Sequence, residues 1–451
     1  MNVDLIIKSK WIAPVDQKST VLTDHSIVIN NKRIIALCSQ EALKDTYNSA
    51  TEIELKNHIV VPGLINAHTH APMTLLRGTA DDLALEEWLN TRIWPLEQKF
   101  IDQQFVTDGA ELAIAEMILS GTTCFADMYF YPDQVAKAVI KSGIRAQLAC
   151  PVLDFPTIWA QSSDEYIQKA IGLHDDHRNS ELISIAFGPH APYSISNEPL
   201  KKIGTMAEEL DIPIHMHVHE TAKEISDSLE QYGCRPLERL NDLGLVSRRL
   251  NCVHATQLTQ DEISLITEAG SSVVHCPASN MKLASGICDV SNLINCNTNV
   301  CLGTDGAASN NELDLLKEAR LASLLAKATS QVASSLPTHQ ALEMMTINGA
   351  QALGLEESIG SLEVGKLADI AAISLDAPNT LPVNDPLSHV IYAANSTQVT
   401  HVWIGGRIIL NERRMETVDL NSIRNKANQW QKRFEQRRHD RHEKRRQPRN
   451  K

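Results

Sequence analysis

The stretch Pro62-Gly63-Leu64-Ile65-Asn66-Ala67-His68-Thr69-His70 closes an apolar run that starts at His58 and ends in two histidines two residues apart. Side chains alternate along an extended strand, so the imidazoles of His68 and His70 project to the same side and both reach one metal ion. Seven further apolar or β-branched runs follow, at 121–128, 145–153, 183–188, 212–218, 250–254, 271–275 and 300–303, with amphipathic segments such as 198–210 and 261–269 between them. That alternation signals βα units and a parallel sheet, and eight units close most simply as a (β/α)8 barrel. Six of the runs end in His or Asp: His68 and His70, Asp127, His190, His217, His254 and Asp305. Barrel enzymes build their active sites at that C-terminal edge, which decides for a barrel over an open sheet.

Outward from the barrel, 3–12, 26–37 and 51–55 read as short strands, as do 369–375, 399–403 and 407–410, with turns such as Ile404-Gly405-Gly406-Arg407. The expected architecture is therefore α/β, a TIM-like barrel over 63–362 with a small β-sandwich formed by both chain ends, 1–62 and 363–431, the latter with a trailing helix. Lys432 to Lys451 holds ten Lys/Arg against three Asp/Glu. It is expected to be a solvated basic tail with no docking face, disordered or partly helical, with anion or RNA tethering as the alternative.

With 451 residues, 43% hydrophobic and 22% charged, the chain has enough apolar material for a large core, which excludes a disordered or fibrous protein. A net charge of −13 despite that basic tail argues against a nucleic-acid partner. The nine cysteines form no C-x-x-C pair and mostly sit in apolar runs, so they read as thiols of a reducing cytoplasm. Neither a signal peptide nor a membrane span is expected, because no stretch reaches 18 apolar residues and the N-terminus lacks a cleavage pattern. A homo-oligomer is compatible with the sequence.

The chemistry lies in three more strand ends: Ile214-His215-Met216-His217-Val218-His219-Glu220, Cys252-Val253-His254-Ala255 and Gly303-Thr304-Asp305-Gly306. Two histidines from the first strand, one from the fifth and an aspartate from the eighth make an N3O set that suits Zn²⁺ or another borderline divalent ion, with one position left for water. His215, His217 and His219 share one face of an ideal strand, so the pattern alone leaves the ligand ambiguous. His217 is preferred because Glu220 would then sit beside the metal's water. His215 and His219 read as barrel-lining or supporting imidazoles.

With these residues the chain resembles the amidohydrolase superfamily, and within it the mononuclear deaminases and chlorohydrolases of triazine hydrolase type, nearest to the 5-methylthioadenosine/S-adenosylhomocysteine deaminases. The resemblance spans about residues 1–415 and rests on the histidine pair with its flanks to Gly78, on Leu85–Leu89 followed by Trp94-Pro95-Leu96-Glu97, on Gly188–Tyr193, His217–Glu220, Val274–Leu283 and Gly303–Gly306. It implies His68, His70, His217 and Asp305 as ligands of one Zn²⁺ per subunit, with Fe²⁺ as the alternative metal. It also implies Glu220 and His254 as catalytic residues, Asp305 helping to pass a proton, and Glu97 and His190 as nucleoside contacts alongside Glu220. From its neighbours alone, Glu97 would read as an exposed helical carboxylate. The fourth run ends Phe187-Gly188-Pro189-His190, without the lysine that two-metal members place there, which agrees with one metal.

The expected function is hydrolytic deamination of an adenine nucleoside, 5′-methylthioadenosine first and S-adenosylhomocysteine second. The alternative is a deaminase or chlorohydrolase of guanine, a cytosine-like base or an s-triazine. A third reading, a barrel scaffold that has lost its metal, is disfavoured because every ligand and Glu220 are retained. Trp88 and Trp94 are candidates to wall a thioether pocket, and His275 stands between pocket residue and supporting imidazole. One departure bears on substrate: thermophilic relatives hold the homocysteine carboxylate with arginines after strands three and four, whereas 150–190 here contains only Arg178. An uncharged 5′-thioether is thus favoured unless Arg77 or a partner subunit supplies the charge.

Overall fold

The computed structural model describes residues 1–16, 20–43 and 46–446. Eight parallel strands, Leu64–Thr69, Thr122–Asp127, Arg145–Val152, Ile183–Pro189, Ile214–Val218, Leu250–His254, Ser272–His275 and Asn299–Leu302, pair in sequence order, each with the next. Their residues are almost all buried, as expected for a parallel sheet covered on both faces. The first and eighth strands meet through Asp305 N–H donating to His68 O at 3.0 Å and Asn66 Nδ2 donating to Thr304 Oγ1 at 2.7 Å. Gly303 permits this contact, since a Cβ there would stand 2.7 Å from the His68 Cβ. Helices run between the strands, among them Gln103–Leu119, Asn197–Leu210 and Gln260–Glu268. Each begins where the sequence supplies a signal; Thr259 and Glu262, for instance, form a reciprocal capping box.

Both chain ends build a second eight-stranded sheet, in which Glu52–Pro62 pairs in parallel with Leu5–Ile12 on one side and antiparallel with Ile370–Ser374 on the other. Ile7, Ile27, Ile34, Val60, Ala372 and Trp403 form a buried cluster on it. The run at 58–66 is not one strand, as read from the sequence, but the junction of two: the chain leaves this sheet at Pro62 and enters the barrel at Leu64. Likewise 26–37 is a hairpin of Leu22–Asn30 and Arg33–Ser39, turning at Asn31 and Lys32, both of positive φ.

The sheet is latched to the N-terminal end of the barrel by a buried ion pair. Arg145 Nη2 donates to Asp369 Oδ1 at 3.1 Å and its Nε to Oδ2 at 2.5 Å, and Asp369 also accepts from Gly405 N–H at 2.7 Å. A final helix, Leu420–Arg446, lies along Gln103–Leu119: Trp430 Nε1 donates to Asp108 at 3.0 Å and Lys426 pairs with Asp108 and Glu111. The basic segment is corrected at its start, because Phe434 packs edge-on against Phe100 at 5.0 Å, and its backbone is helical to Arg446. The rest of that expectation, 447–451, lies outside the described residues.

Candidate active site

The strand ends converge as the sequence indicates. His68, His70, His217, His254 and Asp305 gather at one point, with the ligand atoms of His68, His217 and His254, and those of His68, His70 and Asp305, all within 4.8 Å of one another. The backbone is strained at three of these strand ends: His219, His254 and Asp305 have φ of 57°, 74° and 60°, a left-handed conformation that costs a residue with a Cβ on the order of 1 kcal/mol.

Each imidazole is aimed by a hydrogen bond from its far nitrogen. His70 Nδ1 donates to Met128 O at 2.6 Å and His217 Nδ1 to His190 O at 2.7 Å, leaving both Nε2 lone pairs free. His68 Nδ1 bonds His215 Nε2 at 2.8 Å, and the buried Nε2 of His68 has no hydrogen-bond partner. Asp305 Oδ1 stands 3.4 Å from His68 Nε2 and 3.3 Å from His70 Nε2. Two ligands on one tetrahedral ion with bonds of about 2.1 Å are separated by about 3.4 Å, so the donor set fits a zinc-sized cation. Burial holds the pKa of His68 down to about 4, which keeps its imidazole neutral and able to ligate.

The three histidines of the fifth strand do not share one face. The strand ends at Val218, and His219 turns away to accept from Leu237 N–H at 3.1 Å. His215 supports His68, and His217 joins the cluster.

Glu220 is buried, its Oε2 lies 3.8 Å from His254 Nε2, and burial raises its carboxyl pKa. His254 Nδ1 is held by Asn280 Oδ1 at 2.8 Å. Beyond this cluster opens a cavity of about 1030 Å³ walled by His70, His217, Glu220, His254 and Asp305 at its floor, and by Trp88, Trp94, Glu97, His190 and Tyr193 above. Glu97, on the helix Trp94–Phe100, turns into the cavity instead of to bulk solvent and accepts from Tyr129 O–H at 2.7 Å. Enclosure raises its pKa against that hydrogen bond. His190 contacts Ser194 Oγ at 3.1 Å, and burial lowers its pKa to about 4, so it faces a ligand neutral. His275 is buried behind the wall and takes no part in it.

Several supporting residues carried no role in the sequence reading. Ser279 and Ser309 both donate to Asp305 Oδ2, at 2.6 and 2.7 Å, which leaves Oδ1 for the cluster. Glu224 accepts from the N–H groups of His219 at 2.9 Å and Glu220 at 2.8 Å, clamping the loop that carries the candidate acid/base; burial raises its pKa to about 7. The signal was present as Thr221-x-x-Glu224, a helix-capping pattern whose glutamate here reaches one and two residues past the cap. Arg239, buried, donates to Pro192 O, Ile195 O and Asn197 Oδ1 and stacks on Tyr232 at 3.9 Å, fixing the loop after the fourth strand.

A nearly closed parallel barrel with this donor set at its C-terminal edge defines a class, and the chain belongs to the amidohydrolase family, which it matches over residues 59–409. Within that family it is 48% identical, over 95% of its length and 96% of the relative's, to the 5-methylthioadenosine/S-adenosylhomocysteine deaminase of Saccharophagus degradans. It is 40% identical to the 5′-deoxyadenosine deaminase of Methanobrevibacter smithii, over 94% of this chain and 97% of that one. Among solved structures it is similar to an adenosine deaminase from Xanthomonas campestris with bound zinc, at a TM-score of 0.95 and 46% identity, covering 96% and 99% of the two chains. The protein is thus a hydrolytic aminohydrolase. No helix among the described residues is long and apolar enough to cross a membrane.

Proposed function

We propose that the protein deaminates 5′-substituted adenosines, 5′-methylthioadenosine to 5′-methylthioinosine first and S-adenosylhomocysteine to S-inosylhomocysteine second, using one zinc ion held by His68, His70, His217 and Asp305. The observation that carries this reading is one cavity with the His–Asp cluster and Glu220 at its floor and a half-buried carboxylate, Glu97, on its wall. The names of the relatives in Saccharophagus and Methanobrevibacter support an adenine nucleoside, and the zinc in the Xanthomonas structure supports the metal. The free, mostly buried cysteines suit a reducing cytoplasm.

When bound, zinc supplies the acidity that makes water nucleophilic at neutral pH. Glu220 takes a proton from that water and delivers it to N1 of the purine, drawing electron density from the amino-bearing C6 as the oxygen adds. His254, with Nδ1 held by Asn280 Oδ1, turns Nε2 toward the cluster, where it orients the water. Asp305 relays the second proton to the amino group, the C6–N bond breaks and ammonia leaves. Glu97 accepts from the two ribose hydroxyls, and His190 contacts the purine. Glu220→Gln is expected to keep the fold and one zinc per chain while kcat falls by about two orders of magnitude or more. An unchanged kcat would remove Glu220 from this role.

A further inference from the structure

The mouth of the cavity has a chemistry of its own. Trp94, Phe155, Ile158 and Tyr193 line it with 41%, 46%, 58% and 44% of their surfaces exposed, four large apolar side chains brought together at one opening. The loop carrying Phe155 and Ile158 is pinned: Tyr131 O–H donates to Ile158 O at 3.1 Å, and Tyr166 O–H to Thr157 Oγ1 at 2.5 Å. That loop is therefore anchored on two sides.

No lysine or arginine lines the cavity among the described residues. Arg77, the cation that would complete a carboxylate site, is paired with Glu116. Arg239 is saturated by carbonyl and amide oxygens. The charged group at the mouth is instead an acid, Asp154, whose Oδ2 accepts from Ser196 N–H at 2.6 Å.

Resting on the nucleoside reading above, we propose that this ring is a subsite for an uncharged, apolar 5′-substituent, bulkier groups than methyl included, and that it disfavours a 5′ chain ending in a carboxylate. With the amino end of the purine at the floor and the ribose on Glu97, the 5′ carbon points to the mouth. Trp94 sits one helical turn from Glu97, beside it on the same helix face. The cavity, at about 1030 Å³, is at the upper end of the range of roughly 300–1,000 Å³ seen for small-molecule sites, and so accommodates more than a methylthio group. A carboxylate brought there finds no cation and meets Asp154, whereas an apolar group buries surface against aromatic rings.

The test compares kcat/KM of the zinc-loaded enzyme on 5′-methylthioadenosine, 5′-deoxy-5′-phenylthioadenosine and S-adenosylhomocysteine. Phenylthio is expected within about threefold of methylthio or better, and S-adenosylhomocysteine lower by about tenfold or more, for want of a cation to pair its carboxylate. Thermal stabilisation by 5′-methylthioinosine and S-inosylhomocysteine should rank the same way. Ile158→Arg, an exposed side chain whose loop is anchored through its backbone, is expected to raise the S-adenosylhomocysteine to methylthioadenosine ratio by about tenfold. Phe155→Lys serves the same purpose if that variant does not fold. Equal efficiencies on the three substrates, a large loss on the phenylthio compound, or a ratio unmoved by both variants would overturn the subsite alone. No turnover of any of the three would overturn the nucleoside reading and the subsite with it.

Discussion

His215 stands behind the metal-binding cluster, and the structure gives it a measurable task. Its Nε2 bonds His68 Nδ1 at 2.8 Å, with both rings stacked at 5.1 Å and buried. That bond fixes which nitrogen of His68 carries the proton and turns Nε2 toward Asp305. His215→Phe keeps much of the volume and removes the acceptor, leaving a buried N–H without a partner at a cost of about 1–3 kcal/mol. Loss of such an outer partner weakens metal binding by about 10–100-fold, or roughly 1.4–2.7 kcal/mol, and the two routes agree. Zinc dissociation constants from chelator competition should rise by that factor for His215→Phe, and His215→Gln, whose amide oxygen is an acceptor, should recover part of the loss. A phenylalanine variant binding zinc as tightly as the parent would refute this assignment.

Two other perturbations act away from the metal. Asp369→Asn leaves the Arg145 guanidinium buried without its carboxylate, and breaking such a pair costs about 3–5 kcal/mol, so the urea midpoint should drop while zinc stoichiometry stays at one per chain. A normal midpoint would show that the latch carries no load. His275 is held neutral by burial, with a pKa lowered to about 3, while the unfolded chain takes up its proton below about pH 6.5. Its contribution to stability is thus present above pH 6.5 and is lost as pH falls toward 3. Between pH 7.5 and 5 the metal-free parent should lose about 2 kcal/mol more than metal-free His275→Phe; equal losses in urea titrations at the two pH values would contradict a neutral, buried imidazole.

The barrel was legible because strand ends are where period-two patterning and polar chemistry coincide: Leu250–His254 was delimited to the residue from its apolar run and terminal histidine. The first strand was not, because the apolar sequence from His58 to Asn66 runs through Pro62 without a break while the backbone passes from one sheet to another. Alternation also failed at His219, where a positive φ ends the strand and sends the ring to Leu237 N–H; a period presumes a regular backbone, and the site is where regularity stops. Glu97 is the opposite case. Its neighbours Gln98 and Lys99 mark a solvated helix, and only a partner 32 residues away, Tyr129, shows that its side chain turns inward. Long-range pairs of this kind, including Asn280 with His254, leave no periodic trace.

The central claim is that one metal-bearing cavity deaminates an adenine nucleoside. The measurement that tests it most directly is the ultraviolet spectrum of 5′-methylthioadenosine, and of free adenine in parallel, incubated with protein carrying one zinc per chain, with ammonia assayed in the same sample. A conversion from adenine to hypoxanthine absorbance is expected on the nucleoside, with one ammonia per purine converted, and little or none on the free base that Glu97 cannot grip. An unchanged nucleoside spectrum at full zinc occupancy, or equal conversion of free adenine, would contradict it.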